Sequence, residues 1–291
     1  MLYKNPVPRV VAINDLSGLG RVALMVAIPI LSTMGIQVNP LPSALLSAST
    51  NFKRFKMLDL TDQMVAFIQH WKQENLVFDS IYTGFLGNER QIEIVIDFIN
   101  HYRSDDQLVV IDPVLGDGGK AYSTMTKGMI EGMKELISHA DLITPNVTET
   151  CLLLDEEYKT NFTLEIIKDF AFRLSEKGPD TVIITGINNI DRSDTTSVIA
   201  YTKKDKHFWK VSCAYIPEEY PGTGDIFTSV ITGSLLQGDT LPIALDRAVN
   251  FTSMAVRTTY GRDYDVNEGV MLEKVLDTLK APVTVSAYEI I

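Results

Sequence analysis

The chain alternates short runs of β-branched and other apolar residues with longer segments of helical apolar period. Parallel strands need a crossover connection, usually a helix, so this alternation predicts a mostly parallel sheet with helices on both faces. The predicted strands are Arg9–Asn14, Ile36–Leu41, Ser80–Thr83, Leu108–Asp112, Leu142–Thr144 and Thr181–Thr185. The predicted helices are Arg21–Met34, Leu60–Glu74, Glu89–Tyr102, Thr126–Ser138, Val147–Leu154 and Leu164–Lys177.

The last third of the chain departs from this alternation. Two β-rich segments joined by a polar turn predict an antiparallel pair, Ser197–Thr202 and His207–Ala214. Three helices are predicted after them, near Gly224–Gln237, Pro242–Thr259 and Asn267–Leu279. Because no repeat or Pro/Gly/Ser-rich linker interrupts the sequence, we expect one α/β domain over residues 1–291.

Composition excludes several classes of function. The net charge of −11 argues against a nucleic-acid surface, which needs a basic patch or stripe. No run of 18 apolar residues predicts a membrane span. Two cysteines, Cys151 and Cys213, are too few and too far apart for a disulfide framework or a zinc site. We therefore expect a cytoplasmic protein without membrane or nucleic-acid partners.

A glycine turn, Gly18-x-Gly20-x-x-Ala23, follows the first predicted strand and looks like a dinucleotide-binding loop. That fingerprint requires an acidic residue about 20 positions further on, to bind the ribose hydroxyls. No Asp or Glu occurs from Arg21 to Leu58, so a dinucleotide site and a dehydrogenase are excluded.

A second glycine loop, Gly222-Thr223-Gly224-Asp225, opens a predicted helix. Backbone N–H groups at a helix N-terminus bind anions, and glycines allow a close approach to them. Asp225 in the first turn could accept a proton from an alcohol. An ordinary capped helix, with Thr223 as the N-cap and Asp225 beside the positive end of the dipole, explains the same residues.

Two further polar stretches follow predicted strands, at the edge where open α/β sheets bind their ligands. Asp112 ends one strand, and Thr144-Pro145-Asn146 with Glu149 follows the next. Asn146 and Glu149, three apart at a helix start, could organise a hydrated Mg²⁺, although capping interactions explain each residue equally well. Their common position favours one shared site.

Taken together, Asp112-Pro113-Val114-Leu115-Gly116-Asp117, Thr144-Pro145-Asn146-x-x-Glu149 and Gly222-Thr223-Gly224-Asp225 resemble the ribokinase-like superfamily, most of all its pyridoxal kinases. The resemblance runs from Val10 to about Thr259. It implies a three-layer α/β sandwich, ATP as co-substrate and a vitamin B6 vitamer as acceptor. Homodimers are usual in this family.

The resemblance also implies catalytic roles. The residue matching Asp225 removes the proton of the substrate hydroxymethyl group, whose oxygen then attacks the γ-phosphorus of ATP. The backbone N–H groups of Gly222, Thr223 and Gly224 form the anion hole for the transferred phosphoryl group.

For the nucleotide end, the resemblance implies that Asn146 and Glu149 organise Mg²⁺ and phosphate, while Asp112 and Asp117 line the phosphate and cation region. Asp112 and Glu149 are thus the candidate metal ligands. Thr185 matches a nucleotide-contacting position, and Tyr122 resembles a tyrosine near the phosphates. K⁺ assists some members of the group.

At the substrate end, the residues that match ring-contacting positions are Asp15, Val22, Ser49, Thr50 and Phe85. Two of these positions depart from the pattern. Asp15 replaces a small hydroxyl residue, and Ser49-Thr50-Asn51 stands where related bacterial sequences have His-Thr-Gly. Asp15 could accept a hydrogen bond from the ring hydroxyl or bind the amine of pyridoxamine.

The nearest alternative is a hydroxymethylpyrimidine or hydroxymethylpyrimidine-phosphate kinase of thiamine synthesis, with a similar opening loop at Asp15-x-Ser17-Gly18. Those enzymes typically have Gly-Thr-Gly-Cys in place of Gly222-Thr223-Gly224-Asp225, which favours the B6 interpretation. A non-catalytic sensor of B6 vitamers is the alternative of another class, and the intact Asp225 loop argues against it.

Overall fold

The computed structural model describes residues 6–188, 190, 194–282 and 287–291. The strands are β1 (Arg9–Ser17), β2 (Gln37–Leu46), β3 (Met57–Asp59), β4 (Ser80–Thr83), β5 (Leu108–Ile111), β6 (Gly116–Asp117), β7 (Lys120–Ala121), β8 (Leu142–Ile143), β9 (Thr181–Asn188), β10 (Thr195–Thr202), β11 (His207–Ala214) and β12 (Tyr288–Ile290). The helices are α1 (Leu24–Thr33), α2 (Thr61–Gln73), α3 (Glu89–Tyr102), α4 (Lys127–Leu136), α5 (Val147–Leu154), α6 (Leu164–Ser175), α7 (Thr223–Leu236) and α8 (Leu241–Thr259).

Ten of these strands form one sheet, in the order β12-β11-β10-β9-β8-β5-β4-β1-β2-β3. The six consecutive strands of the sheet from β9 to β2 are parallel to one another. Strands β10, β11 and β12 at one edge and β3 at the other are antiparallel. The prediction of a mostly parallel sheet is therefore confirmed, while one domain across residues 1–291 stays a prediction.

Helices cover both faces of the sheet, each over its own hydrophobic core. One core packs α2, α3, α4, α5 and α6 against the sheet, and the other packs α1, α7 and α8. Central strands buried on both sides explain why β5 reads as a continuous apolar run. Within the described ranges, no helix is both long and apolar enough to cross a membrane.

The pleat of the parallel strands directs one set of polar residues toward α7. One residue in each of five strands lies in the core beneath α1, α7 and α8: Ala12, Tyr82, Val110, Leu142 and Ile183. Side chains alternate along a strand, so positions two residues further on point to the same face. Those positions, at the carboxyl edge of the sheet, are Asn14, Gly84, Asp112, Thr144 and Thr185.

The predicted helix near Asn267–Leu279 was wrong. The structure has three separate 3₁₀ turns there, Val266–Glu268, Leu272–Lys274 and Leu276–Lys280. Gly269 interrupts the helical path with φ of 77°, and a Cβ atom there would lie 2.9 Å from the carbonyl oxygen of Arg21. Strands β3 and β12 were missed because each has only three residues, all of them exposed.

The aromatic cluster beneath α3 provides a test of the core. Phe98 is 1% exposed, and its ring centroid lies 4.6 Å from that of Tyr102 and 6.1 Å from that of Phe78. We expect Phe98→Ala to lower the free energy of unfolding by about 3–5 kcal/mol, because it leaves a cavity. Phe67→Ala on α2, where the side chain is 48% exposed, should cost less than about 1 kcal/mol. Equal losses in urea denaturation would contradict this packing.

Candidate active site

A cavity of about 470 Å³ opens at the carboxyl edge of the parallel strands. The predicted site residues that line it are Asp15, Val22, Ser49, Thr50, Phe85, Asp117, Tyr122, Gly222 and Asp225. The predicted residues outside its lining are Asp112, Asn146, Glu149, Thr185, Thr223 and Gly224. The cavity is acidic, because its described lining residues include Asp15, Asp117, Glu219 and Asp225 but no Lys or Arg.

Asp225 is held by one residue of β1 and one residue of the segment that follows it. Its Oδ2 accepts a hydrogen bond of 2.8 Å from the backbone N–H of Ala23, and its Oδ1 accepts one of 3.2 Å from the side-chain amide of Asn14. Burial raises the pKa of Asp225, and these two bonds oppose the increase. The carboxylate is therefore fixed in position at the cavity, as a general base requires.

Asn14 was not identified from the sequence. Its Oδ1 accepts hydrogen bonds from the backbone N–H of Phe85 at 2.8 Å and of Asp15 at 3.0 Å, while its amide nitrogen donates to Asp225. Gly84 makes this possible, since a Cβ there would lie 2.3 Å from Asn14 Nδ2. The strand-end rule that identified Asp112 applies equally to Asn14 and could have found it.

Ala23 was also not identified from the sequence, because the alanine side chain has no functional group that would indicate a role at the site. It precedes α1 with φ of 52° and ψ of −129°, a conformation rarely adopted by residues with a side chain. This geometry directs its N–H at Asp225. Strained backbone held by its surroundings concentrates at functional sites, so the conformation supports a functional role for this contact.

The glycine loop before α7 packs directly on the opening loop. Gly222 is the N-cap with φ of 85°, and a Cβ there would lie 2.1 Å from the carbonyl oxygen of Arg21. The alternative in which Thr223 is the N-cap is wrong, because Thr223 is the first helical residue and its hydroxyl donates to the carbonyl of Tyr220 at 3.1 Å. Glycine is needed here for close approach and for its backbone conformation.

Asp112 lies beside the first turns of α7. Its Oδ2 accepts a hydrogen bond of 3.4 Å from the hydroxyl of Thr228, which lies 2.8 Å from the hydroxyl of Thr144. Burial, followed by the charge of Asp225, raises the pKa of Asp112 to about 8. The carboxyl group thus belongs to the same electrostatic cluster as Asp225.

Asn146 and Glu149 form a capping box at the start of α5. Asn146 Oδ1 accepts from the N–H of Glu149 at 2.9 Å, and Glu149 Oε2 accepts from the N–H of Asn146 at 2.8 Å. Asn146 also donates to the carbonyl of Gly116 at 2.8 Å, and Glu149 Oε1 accepts from the N–H of Leu115 at 3.1 Å. The capping interpretation of these residues is therefore realised, and the box anchors the β6–β7 hairpin that carries Asp117.

Thr185 is placed beside this capping box. It forms an isolated parallel bridge with Asn146, and its backbone N–H donates to the carbonyl of Pro145 at 2.9 Å. Its predicted nucleotide contact stays a prediction. Tyr122, which is 42% exposed, lies at the mouth of the cavity.

Asp15 also lines the cavity and is 7% exposed. Its Oδ2 accepts a hydrogen bond of 2.9 Å from the hydroxyl of Ser17. Burial, followed by the charge of Asp225, raises the pKa of Asp15 to about 7.

Comparison with known proteins places this chain in a family. Residues 43–271 match a family described as Phosphomethylpyrimidine kinase. A provisionally named phosphomethylpyrimidine kinase from Bacteroides thetaiotaomicron, in a crystal form with pyridoxal, is 53% identical and covers 98% of this chain and 100% of its own, with a TM-score of 0.95.

Two curated relatives carry different names. A pyridoxal kinase from Arabidopsis thaliana is 27% identical over 86% of this chain and 82% of its own length. A hydroxymethylpyrimidine/phosphomethylpyrimidine kinase from Bacillus subtilis is 31% identical over 65% of this chain and 67% of its own. The resemblance inferred from the three motifs is confirmed by these matches.

The contact between Gly222 and Arg21 can be tested with a matched pair of variants. Gly222 and Gly238 both have positive φ, 85° and 90°, but a Cβ at Gly238 has no atom within 4 Å. Both Gly222→Ala and Gly238→Ala should lose about 1 kcal/mol of stability from backbone strain. Only Gly222→Ala must also displace the backbone at Arg21, because its Cβ would overlap the carbonyl oxygen there. We expect it alone to lower kcat/KM, by at least about tenfold, and equal activities would contradict the assignment.

The raised pKa of Asp15 predicts a pH-dependent stability. Between its ordinary pKa of 3.8 and the folded value of about 7, the folded protein holds one more proton than the unfolded chain. The resulting stability is complete below pH 4 and is lost as the pH rises to 7, by about 1.4 kcal/mol per pH unit. Relative to wild type, Asp15→Asn should therefore gain stability over this range in urea denaturation. Asp97→Asn on the exposed face of α3 is the charge control, and a pH-independent difference for Asp15→Asn would contradict the prediction.

Proposed function

The chain belongs to the phosphomethylpyrimidine kinase family, and we propose that it transfers the γ-phosphoryl group of ATP to the 5′-hydroxymethyl group of a vitamin B6 vitamer. The observation that carries this proposal is the position of Asp225. Its carboxylate lies at the cavity in the first turn of α7, beside a glycine loop at the helix N-terminus. A base and an anion-binding group on one helix end are what phosphoryl transfer to an alcohol requires.

In the proposed reaction, Asp225 accepts the proton of the hydroxymethyl group. The substrate oxygen forms a bond to the γ-phosphorus, and the bond between that phosphorus and the oxygen of the leaving ADP breaks. The backbone N–H groups of Gly222, Thr223 and Gly224 stabilise the negative charge on the transferred group. Asn14 and Ala23 keep the Asp225 carboxylate in place throughout.

Cations are part of the proposal because the cavity is acidic. The polyphosphate of ATP is repelled by Asp15, Asp117 and Asp225, and no described lining residue is Lys or Arg. Mg²⁺ is commonly bound through one or two carboxylates together with substrate phosphates, so an all-protein cage is not needed. Asp112 and Glu149 would hold it, and it would neutralise charge on the phosphates. The involvement of K⁺ stays a prediction from the resemblance.

Three observations favour a B6 vitamer over hydroxymethylpyrimidine. The loop reads Gly222-Thr223-Gly224-Asp225 rather than Gly-Thr-Gly-Cys, and the strand end continues as Leu115-Gly116-Asp117. The Bacteroides relative is described in a form with pyridoxal. The pyrimidine kinase remains the second candidate because the opening loop, Asp15-x-Ser17-Gly18, is similar to that of those enzymes. A homodimer in the cytoplasm stays a prediction.

Asp225→Asn tests the proposed base. The amide is nearly isosteric but cannot accept the proton, so kcat should fall by about 10²–10⁴-fold. Asp97→Asn on α3 serves as the exposed control. Turnover is measured by ADP release with ATP and Mg²⁺, and ATP affinity by titration should stay unchanged. Wild-type turnover in Asp225→Asn would refute the assignment.

A substrate panel tests the function itself. ADP release is measured with pyridoxal, pyridoxine, pyridoxamine and hydroxymethylpyrimidine, each with ATP and Mg²⁺. We expect a higher kcat/KM for at least one B6 vitamer than for hydroxymethylpyrimidine. The opposite order would favour the pyrimidine kinase, and binding of vitamers without any turnover would favour a sensor.

A further inference from the structure

Asp15 is a buried carboxylate that lines the cavity, and it has no role in the proposed phosphoryl transfer step. Ser17 donates to Oδ2. No ion pair among the described residues involves Asp15, and Arg21, in the loop that follows β1, is bound to Glu273 at 2.9 Å and to Tyr264. An unpaired buried carboxylate is costly. A ligand that supplies a donor or a positive charge would offset that cost.

A second polar group on the same wall has no protein partner. Ser49 lines the cavity, is 2% exposed, and its hydroxyl makes no hydrogen bond in the described structure. Its hydroxyl lies 3.0 Å from where a Cβ of Gly20 would be, so the loop that follows β1 packs directly against it. A buried carboxylate without an ion pair and a buried hydroxyl without a hydrogen bond, both lining one cavity, indicate a polar ligand there.

Asp15 is also close to the proposed base. Its neighbour in the chain, Asn14, bonds Asp225, and the charge of Asp225 is the second cause of the raised pKa of Asp15. The base contacts the hydroxymethyl oxygen of the substrate. Because both carboxylates line one cavity, a substrate whose hydroxymethyl group meets Asp225 can present the substituent on the adjacent ring carbon to Asp15.

This position differs chemically among the candidate substrates. It carries an aldehyde in pyridoxal, a hydroxymethyl group in pyridoxine, a cationic aminomethyl group in pyridoxamine and an amino group in hydroxymethylpyrimidine. A carboxylate accepts hydrogen bonds from an amine and attracts its positive charge, whereas it repels an aldehyde oxygen. Building on the proposed function, we infer that Asp15 binds the substituent beside the reacting hydroxymethyl group and selects an amine over an aldehyde there.

The preference should depend on pH. Besides Asp15, the titratable groups of the cavity are Asp225 on α7, Glu219 and Tyr220 in the segment before α7, and Asp117 and Tyr122 at the β6–β7 hairpin. Since the carboxyl of Asp15 titrates near pH 7, its charged form increases through neutrality. The preference for pyridoxamine over pyridoxal should increase with it.

The test is the ratio of kcat/KM for pyridoxamine to kcat/KM for pyridoxal. We expect Asp15→Asn to lower this ratio by about 10–100-fold at pH 8, mainly through pyridoxamine, in line with the loss of a charge-assisted hydrogen bond. Asp15→Ser is the second variant and should do the same. Glu219→Gln removes one negative charge from the exposed rim of the cavity and should change the ratio less than about threefold. The ratio should rise through pH 7 in wild type but not in Asp15→Asn. Titration of the substrates themselves affects wild type and variant equally, so it cannot cause a difference between them.

The outcomes separate this inference from the proposed function. Active wild-type enzyme with the same ratio in both Asp15 variants overturns the inference alone. An equal loss with both substrates also overturns it, because it indicates a purely structural role. A wild-type protein that phosphorylates neither vitamer, while the panel detects turnover of hydroxymethylpyrimidine or none at all, overturns the proposed function and the inference with it.

Discussion

The two hydrogen bonds that Asn14 and Ala23 donate to the Asp225 carboxylate are the interaction on which the rest of the site depends. Two donors, the amide of Asn14 and the N–H of Ala23, bind the two oxygens of one carboxylate. Both donors need special backbone features nearby, since Gly84 leaves room for Asn14 and Ala23 adopts a positive φ. The cavity has its shape because β1 and α7 meet at this carboxylate.

Negative charge is the second organising property of the site. Asp15, Asp112 and Asp225 are clustered, and burial together with their mutual repulsion raises the pKa values of Asp15 and Asp112. A cluster of this kind is unfavourable in the empty protein and becomes favourable when cations and substrate donors enter. The binding of an anionic nucleotide and of its counter-ions is thus expected to be coupled.

Much of this arrangement could be predicted from the sequence. The strands Ser80–Thr83 and His207–Ala214 and the helices Glu89–Tyr102 and Val147–Leu154 occur as predicted, because each is long, strongly patterned or bounded by clear caps. The strand-end rule located Asp112. What could not be predicted depends on tertiary contacts, above all the positive φ of Ala23 and the 3₁₀ turns around Gly269. The conformational preferences of neighbouring residues cannot indicate a backbone conformation that is imposed by a segment about 200 residues away.

The ion pairs and hydrogen bonds of Arg21 have a consequence for how the protein is made. Arg21 donates hydrogen bonds to the backbone carbonyl of Glu268 and to the carboxylate of Glu273, about 250 residues further along the chain. Contacts of such large sequence separation form late, because a long loop must be closed first. During synthesis, the part of the cavity lined by Val22 and Asn267 cannot be completed until the segment around Glu268 and Glu273 has left the ribosome. A partly synthesised chain would therefore lack this side of the cavity until the segment around Glu268 and Glu273 docks.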